Sequence, residues 1–177
     1  KAIEPADVLI GLESSGLHSN GYSLARRVVF DLAGLDAQAS IPELGQTVGE
    51  TLLMPTRIYV RAVRSLLGRY KIKSVVHGIA HITGGGLREN LERILPPGVQ
   101  AVVERGSWPV PPVFPWLQQL GEIEPGEMER VFNMGVGLVL VVRPHFVDSI
   151  RHQLADCGHG SHVIGKIVAG ERSVVWS

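Results

Sequence analysis

The chain has 177 residues, 45% hydrophobic and 19% charged, with 17 lysines and arginines against 17 aspartates and glutamates. Zero net charge and a pI near 7.2 exclude a basic nucleic-acid footprint or a polybasic membrane patch as the main driver. A mean hydropathy of +0.17 excludes a mainly disordered chain, and the longest apolar stretch, Gly135 to Val142, falls far short of the ~20 residues a membrane span needs. The single cysteine, Cys157, rules out an internal disulfide framework and fits a reducing compartment such as the cytoplasm.

In chain order, Val8–Leu12 reads as a buried strand stopped by serine and glycine. A helix is expected over Gly21–Ala33, with Ser19 and Asn20 as N-caps, followed by a loop over Gly34–Gln46. Pro55 precedes an expected long helix, Thr56–Tyr70, whose Arg57, Arg61 and Arg64 form a solvated or interface stripe. Lys73–Ile82 and Gly98–Glu104 read as strands, with a helix over Leu87–Leu95 between them. After the proline-rich start of Trp108–Leu120 a helix is expected beyond Pro115. Glu127–Phe132 reads as a short helix, Val136–Val142 as a fully apolar strand, and Pro144–Ala155 as a helix. Val163–Ala169 and Ser173–Trp176 predict a closing hairpin turned at Gly170-Glu171. Together these make an α/β sandwich, a mixed sheet of about six strands flanked by helices.

Two segments combine a strand end, glycines and a helix start. In GLESSGLHSNGYSL (Gly11–Leu24), backbone N–H groups, the hydroxyls of Ser14, Ser15 and Ser19, and the polar His18 and Asn20 make an anion site. Leu17-His18 stands where a P-loop needs Lys-Ser/Thr, so the segment is not a Walker motif. In HGIAHITGGGLREN (His77–Asn90), three consecutive glycines exceed what a tight turn needs, which points to close approach of a ligand, with Thr83 as cap or donor. His77 and His81 lie ~13 Å apart along a strand, too far for a shared zinc. Asn133, between a short helix and the apolar strand, either holds a loop or touches a ligand. Cys157-Gly-His159-Gly-Ser-His162 reads as a polar connecting loop. No metal site is expected.

Six segments in series carry a resemblance: GLESSGLHSNGYSLAR, LLMPTRIYV, HITGGGLRENLERILP, WPVPPVFPWLQ, MERVFNMGVGLVLVV and VIGKIVAG. They closely resemble the C-terminal half of phosphoribosylformylglycinamidine cyclo-ligases, the AIR synthetases. The resemblance implies a two-domain, cytoplasmic and dimeric enzyme of purine biosynthesis, whose N-terminal half carries the magnesium and nucleotide segment. The chain, which opens on Lys1, is then expected to be a C-terminal domain over residues 1–177, inactive alone.

The implied reaction uses ATP and Mg2+ to convert formylglycinamidine ribonucleotide (FGAM) to 5-aminoimidazole ribonucleotide (AIR). By resemblance, Ser14, Ser15, Gly16, Ser19, Asn20 and Gly21 line the cleft, and His18 makes the polar or acid–base contact. Thr83, Gly84, Gly85, Gly86 and Asn90 would hold a phosphate, with Asn133 nearby. The alternative is a stand-alone phosphate-ligand binding domain without catalysis.

Overall fold

A computed structural model describes residues 3–70 and 74–177 of the chain. Six strands form one sheet, in the order β4-β6-β1-β7-β5-β8. They are β1 (Val8–Glu13), β4 (Val76–His81), β5 (Val99–Val103), β6 (Val136–Val142), β7 (Ser161–Ala169) and β8 (Ser173–Trp176). β6 lies between β4 and β1, and all seven of its residues are buried. Alternate residues of β6 therefore serve two cores, which is why its sequence is uniformly apolar and not alternating.

Val139 and Val141 pack with Leu9, Ile164 and the helix α4 (Gly86–Glu92) on one face. Leu138, Leu140 and Val142 pack with Ile10, Leu12 and the helices α3 (Val60–Arg69) and α7 (Val147–Asp156) on the other. A third core, centred on Phe114 and Phe132, belongs to a helical layer. That layer contains α1 (Tyr22–Arg26) with a π-helical continuation over Arg27–Leu32, α2 (Val48–Leu52), α5 (Val113–Leu120) and α6 (Pro125–Val131). The mixed α/β sandwich expected from sequence is the observed architecture.

Several local expectations are corrected. The last two strands are not a hairpin. β5 lies between them, antiparallel to β7 and parallel to β8, so the parallel pair that makes the sheet mixed is β5–β8. The Gly170 N–H donates to Gly98 O (3.2 Å), and the Arg172 guanidinium donates to Glu92 O at the end of α4 (3.0 Å). These contacts carry the turn across the start of β5.

Ser19 and Asn20 do not cap α1; Gly21 does, at φ 73°, because a side chain there would collide with Phe132. The expected loop over Gly34–Gln46 contains β2 (Ser40–Ile41), which pairs with β3 (Gln46–Thr47). Thr47 and Glu50 then form a reciprocal capping box that starts α2. α3 begins at Val60 and not Thr56, which frees Arg57 from the helical stripe. α5 begins at Val113, with Pro115 inside its first turn, where a missing N–H costs nothing. Lys73, the expected start of the second strand, lies outside the described residues.

Candidate functional site

Glu13 at the end of β1, His81 at the end of β4, Val136 at the start of β6 and Ser161 at the start of β7 share one edge of the sheet, as the pairings Glu13↔Val136, Leu12↔Ser161 and His81↔Leu138 require. The first glycine-rich loop lies over this edge. Asn133, 1% exposed, stitches it down. The Asn133 amide donates to Gly16 O (2.7 Å), and its Oδ1 accepts from Ser14 Oγ (2.9 Å) and the Gly135 N–H (2.8 Å). These three hydrogen bonds give Asn133 a loop-holding part.

His18 is 4% exposed and holds a second junction. Its Nε2 accepts from the backbone N–H of Ser15 (2.9 Å) and of Arg57 (3.3 Å). Ser15 Oγ donates to Pro55 O (2.6 Å), and the Asn20 amide donates to His18 O (3.0 Å). His18 (φ 55°) and Ser19 (φ 62°) occupy the left-handed region in succession, a strained backbone of the kind stored at functional loops.

Burial, then the positive fields of His81 and Arg57, lowers the His18 pKa to about 4. A neutral ring that accepts two N–H bonds at Nε2 carries its proton on Nδ1. That Nδ1 is buried, has no partner among the described residues, and faces Gly137, where a Cβ would overlap both His18 and Tyr59 Oη.

Tyr59 is the hub of the edge. Its hydroxyl donates to Glu13 O (2.7 Å), and burial raises its pKa. Its ring centroid lies 6.1 Å from His18, 6.4 Å from His81 and 5.3 Å from His159. His159 belongs to the segment read as a plain connecting loop. Its Nδ1 is buried with no partner among the described residues, and burial followed by the Arg57 charge lowers its pKa. His162 Nε2 lies 2.9 Å from Glu13 Oε1, and Gly160 leaves room for that carboxylate. Four of the seven histidines thus meet at one end of the sheet.

The second glycine-rich loop is tied internally. Asn90, 6% exposed, donates to Gly86 O (2.7 Å) and accepts from Thr83 Oγ1 (3.0 Å). Gly85 (φ 94°) caps α4, and Gly86 (φ 62°) lies where a Cβ would strike the Glu129 carbonyl of α6. Helix capping thus requires Gly85 and helix packing requires Gly86, while of the three glycines Gly84 faces open space. Gly86 abuts the Glu129 and Phe132 carbonyls, and Asn133 follows, so both loops bear on the α6–β6 connection.

Sequence reasoning missed Arg57, Tyr59, His81, His159, His162 and Glu13 as members of this cluster. Arg57 and Tyr59 stood inside a matched segment, PTRIY, that was read only for its helix. His77 and His81 face different partners: His77 Nδ1 lies 2.8 Å from Asp7 Oδ2, and His81 is beside Tyr59. Among the described residues, Glu4, Asp7 and His77 alone are spaced to share a cation, and Asp7 is already engaged by the Glu4 N–H and His77. At the loop edge the donors are imidazole, guanidinium, hydroxyl and amide groups, with Glu13 committed to His162. That set suits phosphate oxygens.

Residues 4–177 match the AIR synthase related protein, C-terminal domain family, and the chain belongs to it. The phosphoribosylformylglycinamidine cyclo-ligase of Brevibacillus brevis is 47% identical over 176 residues, covering 99% of this chain and 50% of the relative. That of Caldanaerobacter subterraneus subsp. tengcongensis is 50% identical over 169 residues, covering 96% and 49%. The chain therefore spans about half the length of the curated relatives it matches. Among solved structures, thiamine-monophosphate kinase from Stenotrophomonas maltophilia K279a superposes with a TM-score of 0.63 at 18% identity, over 100% of this chain and 52% of that one. That likeness concerns the fold.

Proposed function

We propose that this chain is the C-terminal half of an ATP-dependent cyclo-ligase that converts FGAM to AIR in purine biosynthesis. The observation that carries the reading is near-50% identity, over almost the whole chain, to one half of two cyclo-ligases. In this reaction ATP transfers its γ-phosphoryl group to the formyl oxygen of FGAM. The amidine nitrogen attacks the activated formyl carbon, phosphate leaves with the oxygen, and loss of one proton from nitrogen and one from the ring methylene carbon gives the aromatic ring. Such chemistry needs positioning and charge stabilisation more than protein nucleophiles.

The first loop supports that role. Ser15, Gly16, Ser19 and Asn20 surround a backbone held rigid by Asn133 and His18, which preorganises its donors before substrate arrives. Neutral His18 serves as a fixed hydrogen-bonding group, with its proton on Nδ1. Ser14 and Gly21 shape the loop, and Thr83, Gly84, Gly85, Gly86 and Asn90 form the second anion-facing turn. Mg2+ would be held by the N-terminal half, the expected partner domain of a cytoplasmic homodimer.

Co-expression of this chain with its N-terminal half is expected to give AIR formation that depends on both ATP and FGAM. Replacing His18 with Ala should then lower turnover, and wild-type turnover would remove His18 from the site. Nucleotide binding by the 177-residue chain, combined with no AIR formation by the joined halves, would favour the binding-domain alternative.

A further inference from the structure

Between α3 and the sheet edge lies a cavity of about 390 Å³, within the size range of small-molecule sites. Its floor is apolar, made by Ile79, Leu138 and the Tyr59 ring, and its rim carries Arg57, Arg64 and His81. No carboxylate lines it. The nearest acidic group on the sheet edge, Glu13, is spoken for by His162. Arg57 is half-buried, and among the described residues its guanidinium has no hydrogen bond or ion pair. Its backbone N–H is fixed on His18 Nε2, so the side chain springs from an anchored point.

A partly buried cation without a counter-anion is costly, and more so beside imidazoles whose protonation is disfavoured by burial first and by its field in addition. His18 and His159 both show that field in their lowered pKa values. Nothing within the described chain supplies the missing negative charge. An external anion would, and the apolar floor below selects one attached to a flat or hydrophobic body.

We propose that Arg57, with Arg64 and His81, seats the phosphate of a phosphate ester whose sugar or base lies against Tyr59, Ile79 and Leu138. The choice of phosphate over other anions rests on the cyclo-ligase reading. Guanidinium groups match phosphate oxygens in a bidentate fork and carry a full positive charge, which the backbone N–H groups of the loops do not. The full charge for recognition therefore comes from Arg57 and Arg64, beside the N–H donors of the glycine-rich loops. The ester is either the ribose 5-phosphate end of the cyclised substrate or the phosphate tail of the nucleotide.

Isothermal titration of the 177-residue chain with ribose 5-phosphate, adenosine 5′-monophosphate, inorganic phosphate and adenosine tests the site. The esters are expected to bind more tightly than inorganic phosphate, and adenosine not at all. Arg57→Gln should weaken ester binding by about tenfold or more, on the order of 1.4 kcal/mol, and Arg64→Gln, an exposed helix position, by a smaller factor. Arg26→Gln on α1 should change nothing.

An NMR titration of His159 gives a second readout. Its pKa should rise when ester binds, and should rise without ester in Arg57→Gln, because in each case the guanidinium field is cancelled. Absence of ester binding at millimolar concentration, or equal binding by Arg57→Gln and wild type, overturns the proposal.

In the joined enzyme, Arg57→Gln should raise KM for FGAM or for ATP, and the substrate affected identifies the source of the phosphate. Failure of the cyclo-ligase reading would appear as no AIR formation with Arg57-dependent ester binding intact. Failure of this site would appear as AIR formation with unchanged KM and kcat in Arg57→Gln.

Discussion

Protonating His18 requires surrender of the two backbone N–H bonds that its Nε2 accepts from Ser15 and Arg57. The folded-state pKa, about 4, lies below the value near 6.5 of an unfolded chain. The native state therefore binds fewer protons than the unfolded one. Stability is fully present above about pH 6.5 and is lost progressively as pH falls toward 4, by about 2–3 kcal/mol from this residue. Urea midpoints at pH 7 and pH 4.5 should show that loss, with His159 adding in the same direction. His18→Gln should flatten the slope; a slope identical to wild type would show that another group carries it.

The HSN run identified this residue as polar and important. Its tautomer rests on two N–H bonds, from Ser15, three positions away, and from Arg57, 39 positions away, and no local pattern announces the second.

At the scale of elements, Gly86 joins α4 to α6. A side chain there meets the Glu129 carbonyl, and the residue also sits at φ 62°, so Gly86→Ala combines overlap with backbone strain. A loss of more than ~2 kcal/mol is expected in chemical denaturation, while Gly84→Ala, which faces open space, should cost well under ~1 kcal/mol. Equal losses at the two positions would refute this division.

Strand existence was readable because β1, β5 and β6 are short apolar runs bounded by turn residues. Strand order was not, because β8 follows β7 closely in sequence but pairs with β5 at a separation of 73 residues. Helix starts were misplaced where prolines signalled them. Pro55 lies five residues ahead of α3, and Pro115 two residues inside α5. The π-helical turn over Arg27–Leu32, where the Ala33 N–H reaches back to Val28 O, has no pattern of its own in the sequence.

For the whole molecule, the three cores are unequal in their connections. The two sheet cores share strands, whereas the helical layer around Phe114 and Phe132 meets the sheet edge at the Ser14–Asn133–Gly135 junction. Asn133→Ala leaves Ser14 Oγ, Gly16 O and the Gly135 N–H without their partner, at a cost of roughly 2–4 kcal/mol. Hydrogen exchange should then accelerate in α1, α2 and α5 well before it does in β1 and β6. Uniform acceleration would mean that the layer and the sheet open as one unit. The candidate site was half legible for the same reason. Each glycine-rich loop announces itself locally, while the Tyr59 hub gathers the Glu13 carbonyl and the side chains of residues 18, 81 and 159, which only the sheet brings together.

The sheet ends on one side in β4, whose register slips between Val76 and Gly78, and on the other in β8, four residues long. Neither margin is a long, flat row of free amides of the kind that recruits a foreign strand. Pairing of two copies through continuation of the sheet is thereby disfavoured. Side chains on helices and loops, among them the exposed Ile58 (77%) next to Arg57, are then the surface open to a second subunit or domain.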